Sequence, residues 1–264
     1  MNDFTGKTIW ITGASSGIGA ALARALATRG AWLILSARSA DKLEAVRQSC
    51  STPDEHLCLV MDLADQVSIE AAWNKLQEMS REVEILINNA GMTQRDRVAE
   101  TSMEVYRLLQ EVNCFAAIDL TKKVLPDMLE QGAGQIVAVS SVMGKFASPQ
   151  RSGYAAAKHA LQGFMDALRA EVHAAGIRVL VASPGFVNTD VSRNALCGDG
   201  TLHGKMDPGQ AAAISAESCA EQIITAMVKG RAEVFPGGKE RVGLLLQRIS
   251  PALLRWMMRK VRVD

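Results

Sequence analysis

Tyr154 and Lys158 stand four residues apart at the start of a strongly helical stretch, so they share one helix face a turn apart. A phenol ionises near about pH 10, too high for acid–base work at neutral pH unaided. An ammonium about 4 Å away is worth about 4 kcal/mol at an effective dielectric of about 20, enough to bring that pKa roughly three units lower. The chemistry such a pair supports is proton exchange with a substrate oxygen. Tyr/Lys pairs at this spacing are also common on solvated helix faces, and the pair alone does not decide between the two.

A second candidate is Thr12-Gly13-Ala14-Ser15-Ser16-Gly17-Ile18-Gly19, between an apolar run and the first helical pattern. Glycines there permit a tight turn, close approach of backbone to a pyrophosphate, and close helix–sheet packing. The helix N-terminus adds N–H groups and a positive dipole. Gly13, Ser15, Ser16, Gly17, Ile18 and Gly19 are therefore candidate dinucleotide contacts, although a purely structural turn would use the same glycines.

The next apolar run ends in Leu35-Ser36-Ala37-Arg38-Ser39. An acid there would bind the ribose 2′-hydroxyl of NAD and repel a 2′-phosphate. No acid is present. Arg38 can fork onto a phosphate and Ser36 and Ser39 can add hydrogen bonds, which favours NADP(H) over NAD(H) unless Arg38 is only a solvated turn residue. Asp62, with Leu63 after it, is placed to meet the adenine or to cap the following segment. In Asn88-Asn89-Ala90-Gly91, the residues Asn89, Ala90 and Gly91 allow backbone approach to the cofactor ribose, as a strand-end turn also would.

Ser141 ends a further apolar run thirteen residues before Tyr154, and Asn113 lies inside a long helical stretch. Thr12-x-x-x-x-Gly17-x-Gly19, Asn88-Asn89-Ala90-Gly91, Asn113, Ser141, Tyr154-x-x-x-Lys158 and Pro184-Gly185-x-x-x-Thr189 together resemble the short-chain dehydrogenase/reductase family, in its order and spacing over residues 7–189. The resemblance implies that Tyr154 exchanges a proton with the substrate oxygen, while Lys158 lowers its pKa and holds the nicotinamide ribose. It implies that Ser141 orients the substrate carbonyl, and that Asn113 kinks its helix and anchors a proton-relaying water. Pro184, Gly185, Val187 and Thr189 would line the nicotinamide. Met92, Met143, Phe146 and Phe186 follow motif residues and, with Ser141, are the candidate substrate pocket. The second half, notably Ser141–Lys145, Tyr154–Glu171 and Asn194–Met206, is similar to the branch containing animal dehydrogenase/reductase family member 7 proteins. Steroid- and retinoid-active reductases are relatives of that branch. Those animal proteins begin with a membrane anchor, whereas this sequence runs directly into its first apolar strand.

The elements that must position these residues can be read from hydrophobic periodicity. Continuous apolar runs at Thr8–Thr12, Ala31–Ser36, His56–Met61, Ile85–Asn88, Gln135–Ser140, Arg178–Ala182 and Glu233–Phe235 read as strands covered on both faces. Helical patterns lie between them, near 18–29, 41–50, 66–80, 101–130, 153–175 and 217–229, with Gly30 and Gly176 as C-terminal stops. The alternation predicts one α/β domain over residues 1–264, a Rossmann-type doubly wound parallel sheet of about seven strands. Residues 186–215 read as a long irregular substrate loop rising from the carboxyl edge of the sheet.

The chain has 264 residues, a net charge of +1 and 22% charged residues, so no global field points to nucleic acid. Five cysteines without CxxC spacing, and histidines without ligand spacing, give no disulfide framework and no metal site. No apolar run is long enough to span a membrane, and a cytoplasmic protein is expected.

These features point to an NADP(H)-dependent oxidoreductase interconverting an alcohol with a ketone or aldehyde, acting as a carbonyl reductase on a bulky apolar substrate. The rivals are reduction of 3-ketoacyl groups on a carrier protein and a catalytically idle NADP(H) sensor, the latter disfavoured by intact Ser141, Tyr154 and Lys158. A homodimer or homotetramer is expected, with Phe115, Ile118, Leu161, Phe164 and Leu168 available for an interface or the core. Residues 239–264 read as two amphipathic basic helices split at Pro251 with Ser250 as N-cap. They are expected to wall the substrate entrance in preference to resting on a membrane surface.

Overall fold

The fold is described from a computed structural model for residues 4–79, 81–207, 213–238 and 240–261. Strands β1 (Thr8–Thr12), β2 (Trp32–Ala37), β3 (Leu57–Val60), β4 (Ile85–Asn88), β5 (Gly134–Val139) and β6 (Ile177–Ala182) are followed by the short strands β7 (Val187–Asn188), β8 (Ile214–Ser215) and β9 (Glu233–Val234). Seven of them form a parallel sheet in the order β3-β2-β1-β4-β5-β6-β9. The order reverses between β1 and β4, the switch point beside which such sheets open a ligand crevice.

Strand periodicity divides the core in two. Ile9, Ile11, Leu33 and Leu35 point to one face and pack with Leu22, Leu26, Ile223 and Met227, from helices α1 (Gly17–Ala27) and α7 (Ala216–Val228). Trp10 and Ile34 point to the other, against Ile69, Leu120 and Leu161. Those side chains come from α3 (Gln66–Glu78), α5 (Ala116–Gln131) and α6 (Ser152–Val172). Both faces are covered, which is why the strands read as continuous apolar runs rather than alternating ones. Leu161 and Leu168 are spent in this core, so of the positions expected to serve either role Phe115 is the one left exposed, at 54%.

Side-chain caps start several helices. Ser39 caps α2 (Ala40–Gln48), Asp65 caps α3, Ser102 caps α4 (Met103–Gln110) and Ser215 caps α7. The helix expected over 101–130 is instead interrupted: a π turn at Glu111–Phe115 separates α4 from α5. Nor is the stretch 186–215 irregular throughout. β7 and β8 pair along Val187–Ile214 and Asn188–Ser215, and Leu196 bridges both Gln94 and Leu202. Pro208 of that stretch lies outside the described residues.

At the C-terminus α8 (Arg241–Ile249) and α9 (Pro251–Met258) meet at Ser250. Ser250 stands at the N-cap position with Pro251 in the first turn, as the spacing predicts, but its hydroxyl makes no capping bond. Leu254 is buried against Val142, Met143, Phe146 and Ala155, while Val242, Leu245, Ile249, Leu253 and Trp256 face outward. Positions 239 and 262–264 lie outside the described residues. No helix among those described is long and apolar enough to cross a membrane.

Candidate active site

One cleft of about 620 Å³ runs along the carboxyl ends of β1, β2, β4, β5 and β6, a size usual for small-molecule sites. The glycine loop forms its floor at β1. Gly13 and Gly17 hold φ of 63° and 54°, conformations that side-chain-bearing residues avoid. A Cβ on Gly19 would lie 2.3 Å from the Gly13 carbonyl oxygen, so the helix can approach the loop only without one. Ser16 stands at the N-cap of α1 but makes no side-chain capping bond, unlike the serines that start α2, α4 and α7. The first-turn N–H groups of α1 are thus left facing the cleft beside Ser15, Gly17 and Ile18.

The loop is tied to the end of β4. Asn89 Nδ2 donates to the Thr12 carbonyl at 2.8 Å and to that of Gly13 at 3.2 Å. The Thr12 hydroxyl accepts the N–H groups of Asn89 and Ala90, each at 3.1 Å. Asn89 is therefore a brace of the cradle as well as a wall of the cleft.

At the outer end Arg38 is exposed and lines the cleft, with no ion-pair partner among the described residues. Lys42, one turn into α2, lines it too and was missed in the sequence reading; its place in the first turn after Arg38 was the available signal. The two serines are already engaged: Ser36 Oγ accepts the Trp10 indole N–H at 2.7 Å, and Ser39 Oγ accepts the Lys42 N–H at 3.4 Å. Of the two roles open to Asp62, the structure gives the helix cap to Asp65. Asp62 Oδ1 instead accepts the Ala64 N–H at 3.0 Å, and Asp62 and Leu63 line the cleft.

Ser141, Tyr154 and Lys158 gather at the inner end with Gly91, Pro184, Gly185, Val187 and Thr189. Lys158 Nζ donates to the Val139 carbonyl at 2.9 Å, and burial pushes its pKa down to about 8. Asn113 does not line the cleft but stands behind it, in the π turn. Its Nδ2 donates to the carbonyls of Met92 at 3.0 Å and Leu109 at 2.9 Å, while its Oδ1 accepts the Met92 N–H at 3.2 Å. The π turn frees the Leu109 carbonyl from its usual helical partner, and the side chain fills the vacancy. A Cβ on Gly91 would sit 2.8 Å from Asn113 Oδ1 and 3.3 Å from Lys158 Nζ, which explains the glycine.

The surroundings of Tyr154 act on its phenol in opposite directions. Lys158 Nζ lies 5.9 Å from the Tyr154 ring centroid, one turn further along α6. Burial raises the phenol above its ordinary value; a hydrogen bond with Ser141 and the charges of Arg151 and Arg95 oppose that rise. The substrate pocket is redrawn. Met92 lines the cleft with Leu108, Val112, Val191, Leu196 and Leu202. Met143 and Phe146 are instead buried under α9, and Phe186 lies beneath Arg151, whose guanidinium carbon is 5.6 Å from its ring centroid. The pocket residues of α4 and of the stretch after Asp190 were missed because neither region bears a motif.

Residues 7–197 match the family model described as short chain dehydrogenase. The chain belongs to the short-chain dehydrogenase/reductase family. Family membership makes it an oxidoreductase acting on CH–OH and C=O groups. It is 39% identical over 262 residues to the dehydrogenase/reductase SDR family protein 7-like of Anopheles gambiae, covering 97% of this chain and 83% of that protein. It is 38% identical to the dehydrogenase/reductase SDR family member 7B of Mus musculus, covering 85% and 71%. Among solved family structures, a short-chain dehydrogenase from Sphingobium yanoikuyae in complex with NADPH matches with a TM-score of 0.78 at 27% identity, covering 97% and 96%. One from Burkholderia phymatum in complex with NAD matches in fold, with a TM-score of 0.81 at 22% identity, covering 97% of each chain. The branch resemblance read from the second half of the sequence thus extends over most of the chain.

Proposed function

We propose that the protein is an NADP(H)-dependent reductase of bulky apolar ketones or aldehydes, or the corresponding alcohol dehydrogenase by the reverse reaction. The observation that carries this reading is one continuous cleft with exposed Arg38 at one end and Ser141, Tyr154 and Lys158 at the other. The glycine cradle fits a dinucleotide, since a Cβ at Gly13 or Gly19 would strike its neighbours. Arg38 and Lys42 offer cations where a 2′-phosphate would lie, and the end of β2, Leu35-Ser36-Ala37, carries no acid to repel it. The nicotinamide, when bound, supplies or accepts the hydride. Ser141 holds the substrate oxygen, Tyr154 gives its proton to that oxygen in reduction and takes one in oxidation, and Lys158 holds the nicotinamide ribose. The side chains of Met92, Leu108, Val112, Leu196 and Leu202 favour an apolar substrate.

The test is a panel of carbonyl and alcohol compounds followed by NADPH absorbance, with Tyr154→Phe as control. That variant should lose about 10²–10⁴ in turnover and keep NADPH binding, because only a proton transfer made in the transition state is removed. No turnover of any carbonyl or alcohol by the parent, or a Tyr154→Phe enzyme as fast as the parent, overturns the reading. We further propose a homo-oligomer with exposed Phe115 in its interface; a monomer mass at all concentrations in light scattering overturns that.

A further inference from the structure

Arg95, Arg151 and Asp207 are 5%, 9% and 9% exposed, and none belongs to a motif of the sequence. Arg95 Nε donates to Asp207 Oδ2 at 3.2 Å, and its Nη2 bonds the same oxygen. Arg151 Nη2 donates to that oxygen too, at 2.9 Å. Two buried cations thus share one carboxylate. Arg151 Nε, also buried, has no hydrogen-bond partner among the described residues. A buried charge left over in this way is costly unless something uses it.

Three segments meet here. Arg151 immediately precedes α6, three residues before Tyr154; Arg95 lies in the loop after β4; Asp207 lies in the stretch after β7. The Gln94 side chain accepts the Gly153 N–H at 2.8 Å, and Arg95 N–H donates to the Leu196 carbonyl at 2.8 Å. The substrate stretch is therefore laced to the residues next to Tyr154.

We propose that the Arg95–Asp207–Arg151 cluster is a positioning device that sets the proton affinity of Tyr154, its one uncompensated positive charge favouring the phenolate. Asp207 moderates that charge and ties it to the seating of the substrate loop. The proposal rests on the proton-transfer role given to Tyr154 above. Burial raises the phenol, and both arginines act against the rise. Arg151 itself is pulled down to about 10, by burial first and then by Arg95. A hydrogen bond with Ser141 also opposes the rise. Lys158 is bonded to Val139, Lys145 pairs with Glu233 at 2.6 Å, and Asp190 lies 3.7 Å from Arg193. Helices α8 and α9 bring Leu244, Leu246 and Met258 to the cluster around the ring.

The chain has two tyrosines, Tyr106 and Tyr154. In a Tyr106→Phe background, tyrosinate ultraviolet absorbance against pH reports Tyr154 alone, in protein free of cofactor and substrate. Arg95→Gln leaves one cation against one anion and should raise the Tyr154 midpoint by about one pH unit. Asp207→Asn leaves two cations and should lower it by a similar amount, while Arg95→Lys, which keeps the charge, should hold it near the parent value. Where Arg95→Gln does not fold, Arg151→Gln replaces it with the same expected sign. Midpoints that stay put, or that move the same way in the charge-removing and charge-adding variants, overturn the proposal. A merely structural role predicts no opposed pair. Because the titration needs no turnover, it stands or falls apart from the substrate panel.

Discussion

Lys158 Nζ donates to the carbonyl of Val139, the last residue of β5, at 2.9 Å. The bond locks the middle of the site to the sheet, but it leaves an ammonium 3% exposed with no carboxylate bonded to it among the described residues. Folding therefore works against this charge, and the pH dependence of stability should show it.

With the folded pKa lowered to about 8 by burial, the lysine is charged in both states below that pH and its burial cost is fully present. Between there and the ordinary value of about 10.4, only the unfolded chain holds the proton, so stability rises with pH. Relative to Lys158→Met, the parent should gain about 1.4 kcal/mol from pH 7 to pH 9, measured by urea unfolding. Parallel curves for the two proteins would remove the assignment.

Arg38→Asp should reverse or abolish the preference for NADPH. The parent is expected to bind NADPH at least about tenfold tighter than NADH, a difference of about 1.4 kcal/mol. Fluorescence titration of both nucleotides decides it, and equal affinities in the parent would contradict the phosphate role.

Gly19→Ala should fold yet bind cofactor at least about tenfold more weakly. Its Cβ would lie 2.3 Å from the Gly13 carbonyl and 2.5 Å from Asn89 Nδ2, so the cradle must move, and overpacking of this kind costs about 1–3 kcal/mol. Unchanged affinity by calorimetry would show that the cradle does not hold the ligand.

Leu254→Ala should cost about 2–5 kcal/mol if the neighbours cannot close the gap. Leu254 is 2% exposed and packs on Phe146 and Met143, just beyond Ser141. If the C-terminal helices wall the entrance, KM for a bulky apolar substrate rises more than KM for a small one. A folded variant with both KM values unchanged would leave the segment as packing alone.

Strands and helices were legible wherever one hydrophobic period ran unbroken, as at Thr8–Thr12 and Ile85–Asn88, whose ends coincide with the expected ones. The catalytic group and the cradle were legible because short-range spacing carries them. Arg95, Arg151 and Asp207 were not, since charged residues far apart in sequence give no sign of sharing a buried contact until the chain is folded. Met143 and Phe146 were misassigned for a related reason. Their closeness in sequence to Ser141 said nothing of the helix a hundred residues later that covers them.

The π turn at Glu111–Phe115 has a consequence for how this helix tolerates changes of length. It places one more residue in the turn than a regular helix would, so α4 and α5 are indexed independently, offset by roughly 100° of helical phase. A single deletion there would restore regular winding and rotate either Val105 and Leu109 out of their buried positions or Asn113 away from Met92. Lengthening or shortening by one residue is therefore a graver change in this helix than most substitutions along it.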